Sequence, residues 1–173
     1  MWIEKSDFIE RYYETIKGKY ENIDESIDYY MGMLELSILL LHKYQNYHEI
    51  GYLEHKKINK DSLNNPLNIK IDVKERDFAE YLKYLFFSNQ YKSININDLI
   101  INNKDNYNFN LVISRIIYPN YYFDIVDEIL LEKENQRALL KIISRNKEYE
   151  KYIEKIIKTI KKIYPLETDI SLS

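Results

Sequence analysis

The spacing of apolar residues changes within one short segment of the chain. Over residues 67–73 apolar and polar residues alternate, which is the period of a strand with one buried face. From Phe78 onward the apolar residues recur every three or four positions, which is helical spacing. Asp72 stands at the junction, where the predicted strand ends and a helix is about to begin. Folds that combine strands and helices often place functional side chains at such junctions.

Helical patterns account for most of the remaining chain. Apolar residues recur on one face of each predicted helix, and these helices span residues 3–20, 24–46, 74–89, 95–102, 109–118, 121–133, 135–144 and 146–163. The segment 24–46 is apolar on nearly every side in its second half, so we expect it to be the central, buried helix. Glu35 lies in that segment, and a surface position or a basic partner is favoured over a role in a site.

A small hairpin is predicted beside these helices. Residues 52–58 are typical of a short strand, and the polar residues 59–66 form a loop that leads into the strand described above. Because an isolated hairpin is unstable, it must lie on the helices. The predicted fold class is therefore mainly α, of the α+β kind, with one β-hairpin near residues 52–73. We expect a single domain over residues 1–164 and a flexible tail over 165–173.

Composition excludes several classes of protein. The 173 residues include no cysteine, and the three histidines lack the paired spacing of a zinc motif, so disulfides are excluded and structural zinc is disfavoured. The 25 basic and 28 acidic residues are mixed along the chain, which argues against binding of nucleic acid through bulk charge. Signal-peptide blocks, a Gly-rich phosphate loop and a membrane-length apolar run are all missing from the sequence. We predict a cytoplasmic protein without nucleic-acid or membrane partners.

Five residues are candidates for a functional site, namely His55, Asp72, Arg76, Asp77 and Arg115. Asp72 and Asp77 flank the predicted start of a helix, where a carboxylate can cap exposed amide groups and is favoured by the helix dipole. A helix-start and ion-pair role would explain Asp72, Arg76 and Asp77 without catalysis, and a functional site is the alternative. Arg115 lies among apolar residues, so it needs a carboxylate partner, for which Asp77 is the first choice.

Short segments of the chain carry a resemblance to a known family. They are residues 53–58, 65–72 and 76–81, with support from 29–36 and 114–123. These segments resemble the C-terminal lobe of bacterial spore-coat kinase-like proteins, which are relatives of the aminoglycoside/choline phosphotransferase superfamily. The resemblance covers about residues 2–130 and implies a mostly helical lobe with a small hairpin at the site.

The resemblance also assigns roles to individual residues. Active relatives carry His-Gly-Asp in the catalytic loop, an Asn downstream and a metal-binding Asp after the next strand. His55 matches the His, Asn68 the Asn and Asp72 the metal-binding Asp, while Asp77 matches a structural Asp at the start of the following helix. Lys56-Lys57 replaces the Gly and the catalytic Asp, so the general base is missing and no catalytic residue is predicted.

Three functions follow from these expectations. The leading one is a non-catalytic, kinase-like helical domain that binds a protein or a small ligand or has a structural role, with a protein partner expected and no cofactor. Residues 1–50 have helical patterns in place of the strand-rich lobe that holds ATP in kinases, which favours this function. The second is a truncated or specialised phosphotransferase that holds Mg-ATP through Asn68, His55 and Asp72, with Asp72 as the metal ligand. The third is a helical regulatory protein unrelated to kinases.

Overall fold

The computed structural model describes residues 2–44, 51–58, 65–130 and 136–166. Its elements are, in chain order, α1 (Trp2–Ile16), α2 (Glu21–Asp24), α3 (Ile27–Tyr44), β1 (Tyr52–His55), β2 (Ile69–Asp72), α4 (Glu75–Phe87), α5 (Ile96–Ile101), α6 (Phe109–Ile117), α7 (Asn120–Leu130), α8 (Gln136–Ile143) and α9 (Asn146–Ile163). Single 3-10 turns are formed by Pro66–Asn68 and Gln90–Lys92. The architecture is mainly α with one small hairpin, as predicted. Residues 59–64 of the predicted loop and most of the predicted tail (167–173) lie outside the described residues.

Helix α6 occupies the centre of the core. Every residue of α6 is buried, and α3, α4 and α9 pack around it. The prediction that the segment 24–46 is the central helix is therefore wrong. The described part of that segment, residues 24–44, holds the last residue of the short α2 and then α3, whose outer side is exposed at Glu35 and at Leu39, which is 62% exposed. Apolar composition did not distinguish α3 from α6, because the burial of a helix depends on how many other elements pack against it. The exposed position of Glu35 agrees with its predicted place on the surface.

Local sequence signals explain where several helices begin and end. The side chain of Asn95 accepts a hydrogen bond from the backbone N–H of Asn97 and thereby caps α5. Asn108 caps α6 in the same way through the N–H of Asn110. Gly18 follows α1 with a φ of 81°, a left-handed conformation that glycine adopts without strain. The cap at Asn95 lies at the predicted start of the helix 95–102, whereas α1 ends at Ile16, four residues before the predicted end at residue 20.

The two strands form an antiparallel hairpin that is shorter than predicted. Tyr52 pairs with Asp72 and His55 with Ile69, while the segment 66–68 is a 3-10 turn that leads into β2. The hairpin packs on the start of α4. Among the described residues, no helix combines the length and the apolar content needed to cross a lipid bilayer.

The face of the hairpin that meets the helices is polar, which is the reverse of the expected arrangement. Ile69 and Ile71 of β2 are 42% and 74% exposed, whereas Lys70 and Asp72 point inward. The alternating pattern therefore identified a strand but suggested the wrong buried face. Basic side chains from the helices pair with Asp72, and this pairing compensates for the burial of charge on the inner face.

Candidate functional site

Asp72 is the centre of an ion-pair cluster beneath the hairpin. Its Oδ2 lies 2.5 Å from Lys70 Nζ and 3.3 Å from Arg76 Nη1, and its Oδ1 pairs with Arg115 Nη2 from α6. Burial by itself would raise the pKa of Asp72, but the charges of Arg115 and Lys70 hold it below its ordinary value. The carboxylate is therefore ionised, and three cations surround it.

Arg76 connects Asp72 to the end of β1. Its Nε donates a 2.7 Å hydrogen bond to the His55 carbonyl, and its Nη2 donates a 2.6 Å bond to the Lys56 carbonyl. Because the guanidinium also reaches Asp72, one side chain fixes both strands relative to α4. An ion-pair role was predicted for Asp72 and Arg76 without naming their partners, and in the structure they pair with each other.

Two carboxylates link the hairpin to the first turn of α4. Asp77 of the helix binds the strand, and Glu54 of the strand binds the helix. Asp77 Oδ1 accepts the His55 backbone N–H at 2.6 Å, and its Oδ2 lies 2.6 Å from His55 Nδ1. Glu54 Oε2 in turn accepts the Asp77 backbone N–H at 3.0 Å, which caps the helix. Burial, together with the nearby Asp77 carboxylate, raises the pKa of Glu54 to about 7.

Asn68 holds the segment that follows β1 in place through hydrogen bonds to its main chain. Its Oδ1 accepts the backbone N–H of Lys57 at 3.1 Å, and its Nδ2 donates to the carbonyl of the same residue at 2.7 Å. The Lys56 N–H donates to the Asn68 carbonyl at 2.6 Å. Lys57 itself reaches α7, where its Nζ lies 2.7 Å from Asp124 Oδ2. Both hydrogen-bonding ends of the Asn68 amide therefore bind main chain.

The structure brings all of the predicted site residues to this one region. One predicted pairing is wrong, because Arg115 binds Asp72 and not Asp77. The reason is that the carboxylate of Asp77 faces β1 and binds the two donors of His55, whereas Asp72 faces α6. Glu54 and Lys70 belong to the same cluster, and sequence reasoning missed them.

A comparison with protein-family models identifies the relationship. The family described as "Spore coat putative kinase YutH" matches residues 1–156. The chain belongs to this family. This match agrees with the resemblance seen in the sequence. No curated protein and no solved structure gave a significant match.

A second buried polar cluster in this member of the spore coat kinase family was also missed. Lys83 of α4 is 1% exposed, and its Nζ donates to Glu80 Oε1 at 3.2 Å, to the Tyr118 carbonyl at 2.9 Å and to Asn120 Oδ1 at 2.9 Å. The Asn120 amide closes the ring by donating to Glu80 Oε2 at 3.2 Å. Burial lowers the pKa of Lys83. Lys83 lies one helical turn after Ala79, so the two residues share the same face of α4. This spacing was the signal in the sequence that Lys83 faces the core.

The outer face of the hairpin is apolar and exposed. Leu53 and Ile71, which are paired across the two strands, are each 74% exposed, Leu67 is 80% exposed and Ile69 is 42% exposed. Gly51 lies directly behind Ile71, since a Cβ atom on it would be 2.2 Å from Ile71 Cγ2. We call the four side chains Leu53, Leu67, Ile69 and Ile71 the outer hairpin face.

Proposed function

We propose that the chain is a non-catalytic member of the spore coat kinase family that acts by binding another protein. One observation carries this proposal. Asp72, which the resemblance matches to the metal-binding Asp, pairs with Lys70, Arg76 and Arg115. A Mg²⁺ ion binds oxygen ligands and prefers one or two carboxylates together with substrate phosphates. Three cations around one carboxylate oppose the approach of a divalent cation, so these residues do not fit a metal site.

The surroundings of Asp72 support the same proposal. Among the described residues, no group of three or more His, Cys, Asp or Glu side chains is arranged to hold a metal ion. The position of the catalytic base carries Lys57, whose ammonium pairs with Asp124 and cannot accept the proton of a substrate hydroxyl. Asn68, which matches the downstream Asn of active relatives, uses its amide to bind the backbone of Lys57.

The outer hairpin face supports a protein partner over a small ligand. Contiguous exposed apolar side chains with a polar rim are typical of interaction surfaces. By contrast, the aromatic cavity lined by α3, α4, α7, α8 and α9 has room for about one water molecule. The larger groove between α1 and α3 is lined mostly by charged side chains, unlike the mainly apolar pockets that bind small ligands. We therefore propose that the partner presents an apolar protein surface to the hairpin. The proposed location is the cytoplasm, and the family description makes the coat fraction the alternative to test.

The absence of catalysis is tested by titration with ATP, with and without Mg²⁺, together with an assay of phosphate release. We expect neither Mg²⁺-dependent binding nor turnover. The variant Lys57→Asp restores a carboxylate at the position of the base, and Lys56→Asp is its matched control. Both should stay inactive, because Asp72 remains paired with its three cations. Mg²⁺-dependent turnover in the unaltered protein, or a gain of activity in Lys57→Asp alone, would establish the phosphotransferase instead.

The binding surface is tested by site-specific photo-crosslinking in a spore-forming host. A crosslinking residue at position 67 should form one discrete adduct with a coat-associated protein, and a crosslinker at the exposed position Leu39 of α3 should not. The double variant Leu53→Ser, Ile71→Ser should weaken that adduct and reduce recovery of the chain in the coat fraction. Equal adducts at both positions, or none at position 67, would exclude the hairpin as the docking surface.

A further inference from the structure

Charge is distributed unevenly between the two ends of the chain. Residues 2–44, which form α1 to α3, include nine acidic and five basic residues. Residues 136–163, which form α8 and α9, include nine basic and three acidic residues. The nearly neutral chain therefore carries two segments of opposite charge, which the total composition conceals.

The basic segment presents a continuous stripe of lysines on α9. The apolar side of α9 is buried in the core, as shown by Ile153, Ile156 and Ile160, so this helix cannot insert its apolar face into another surface. Its opposite side is solvent-exposed and carries five lysines. They are spaced by four, four, three and four positions, so they lie along one face over about 22 Å. We call them the lysine ridge, and they are Lys147, Lys151, Lys155, Lys158 and Lys162.

The ammonium groups of the ridge are largely unpaired within the described part of the chain. Lys158 lies 3.7 Å from Glu154, and both side chains are at least half exposed, so this pair is weak. The other four lysines have no ion-pair partner among the described residues. A helix face of this kind favours an anionic surface whose charges recur at the helical period.

The acidic segment offers such a surface. A groove of about 540 Å³ lies between α1 and α3. Its exposed acidic side chains, which we call the acidic groove, are Glu10, Glu14, Asp28 and Glu35. None of these four carboxylates has an ion-pair partner among the residues that the structure describes. Arg11 and Lys17 also line the groove, where Arg11 donates to the Asp7 carbonyl and Lys17 lies over the ring of Tyr13, so the balance of charge stays negative.

We propose that the lysine ridge of one copy of this chain docks into the acidic groove of a second copy. The spacings match because both surfaces follow the helical repeat. Glu10 and Glu14 are one helical turn apart, as are Lys147 and Lys151, with a rise of about 6 Å. Asp28 and Glu35 are seven residues apart, as Lys151 and Lys158 are, with a rise of about 10.5 Å.

A second copy fits the ridge better than a polymeric anion does. The whole chain carries a net charge of -3, so a nucleic acid or an anionic membrane would be repelled by much of the surface. Another copy supplies the complementary groove and presents its own ridge elsewhere. Since the two surfaces differ, the contact is heterologous, and repeating it produces a ring or an open chain of subunits. Such a contact uses exposed charges, so salt must weaken it.

The test measures association by sedimentation velocity over a range of protein concentrations. At about 50 mM salt we expect the weight-average mass to rise with concentration, and at about 500 mM salt we expect a monomer, because screening shortens the reach of exposed charges. The ridge variant Lys151→Glu, Lys155→Glu should be monomeric at both salt concentrations. Its matched control, Lys104→Glu, Lys141→Glu, makes the same change in net charge at exposed lysines off the ridge and should still associate.

A charge exchange makes the test specific. The groove variant Glu10→Lys, Asp28→Lys should be monomeric alone, and mixing it with the ridge variant should restore association, since each then finds an opposite surface. A protein that stays monomeric at low salt, or a ridge variant that associates as the unaltered chain does, would overturn the proposal. So would binding of RNA or anionic vesicles that requires the ridge without self-association. None of these variants touches the hairpin, so the proposed function is tested independently.

Discussion

Asp77 holds His55 through both of its carboxylate oxygens. One oxygen accepts the backbone N–H and the other lies beside the ring nitrogen, each at 2.6 Å. The end of β1 is therefore attached to the first turn of α4 by a single side chain. The resemblance matches His55 to the His of the catalytic loop. In this structure the backbone N–H and the ring Nδ1 of His55 both contact Asp77, which holds the hairpin on α4.

The variant Asp77→Ala should destabilise the fold through this contact. It removes both acceptors and leaves the His55 backbone N–H without a carboxylate, so we expect the free energy of unfolding to fall by about 2 kcal/mol. Urea denaturation measures this loss. Asp124→Ala is the control, because Asp124 forms an exposed pair with Lys57 and should cost less than about 1 kcal/mol. Similar losses for the two variants would contradict a special role for Asp77.

The variant Asp72→Ala distinguishes a structural carboxylate from a metal ligand. Removing it leaves Lys70, Arg76 and Arg115 clustered without their anion, and we expect a loss of about 3–5 kcal/mol with a clearly lower Tm. Adding Arg115→Met in the same chain should recover part of that loss, since the two residues share one interaction. A phosphotransferase that uses Asp72 for Mg²⁺ predicts the reverse, namely loss of phosphate transfer with an almost unchanged Tm.

Stability should depend on pH through Glu54. Its pKa is raised from about 4.5 to about 7, chiefly by burial, while Asp72, Asp77 and Tyr107 are the titratable groups that interact with it. A carboxyl group with a higher pKa in the folded state binds its proton more tightly there, so its ionisation opposes folding. Its contribution to stability is therefore fully present below about pH 4.5 and is lost as the pH rises through about 7.

Glu54→Gln tests this dependence, because the amide keeps the shape of the side chain and cannot ionise. The free energy of unfolding of the unaltered protein should fall relative to that of the variant between about pH 5 and about pH 8. Urea denaturation of both proteins at the two pH values gives the difference. A constant difference at both pH values would mean that Glu54 does not titrate in this range.

Gly51→Ala should disturb the hairpin by a close contact. The added Cβ would lie 2.2 Å from Ile71 Cγ2, so β2 or the side chain must move, and we expect a cost of about 1–3 kcal/mol. Ile71→Ala removes that methyl group and should cost little by itself, because Ile71 is mostly exposed. The double variant should therefore be more stable than Gly51→Ala alone. Additive losses in a double-mutant cycle would place the strain elsewhere.

Local patterns were sufficient to predict most of the secondary structure. The cap at Asn95 and the turn at Gly18 depend on neighbouring backbone groups, so the sequence nearby contains the information. The cap at Asn108 is equally local but was not predicted. The hairpin was also found from its alternating period. The contact between His55 and Asp77 was not predicted, because Asp77 was assigned to Arg115 and periodicity carries no information about distant contacts.

Tertiary structure decided how these elements use their faces. The sequence by itself determined a mainly helical chain with one hairpin and a charged junction at Asp72. Only the folded chain decided that α6 is the buried centre, that the hairpin turns its polar face inward, that Arg115 pairs with Asp72 and that Lys83 is buried. The physical reason is that a helix or strand period arises from contacts within a few residues. The burial of a charge is tolerated only where a partner arrives from a distant part of the chain.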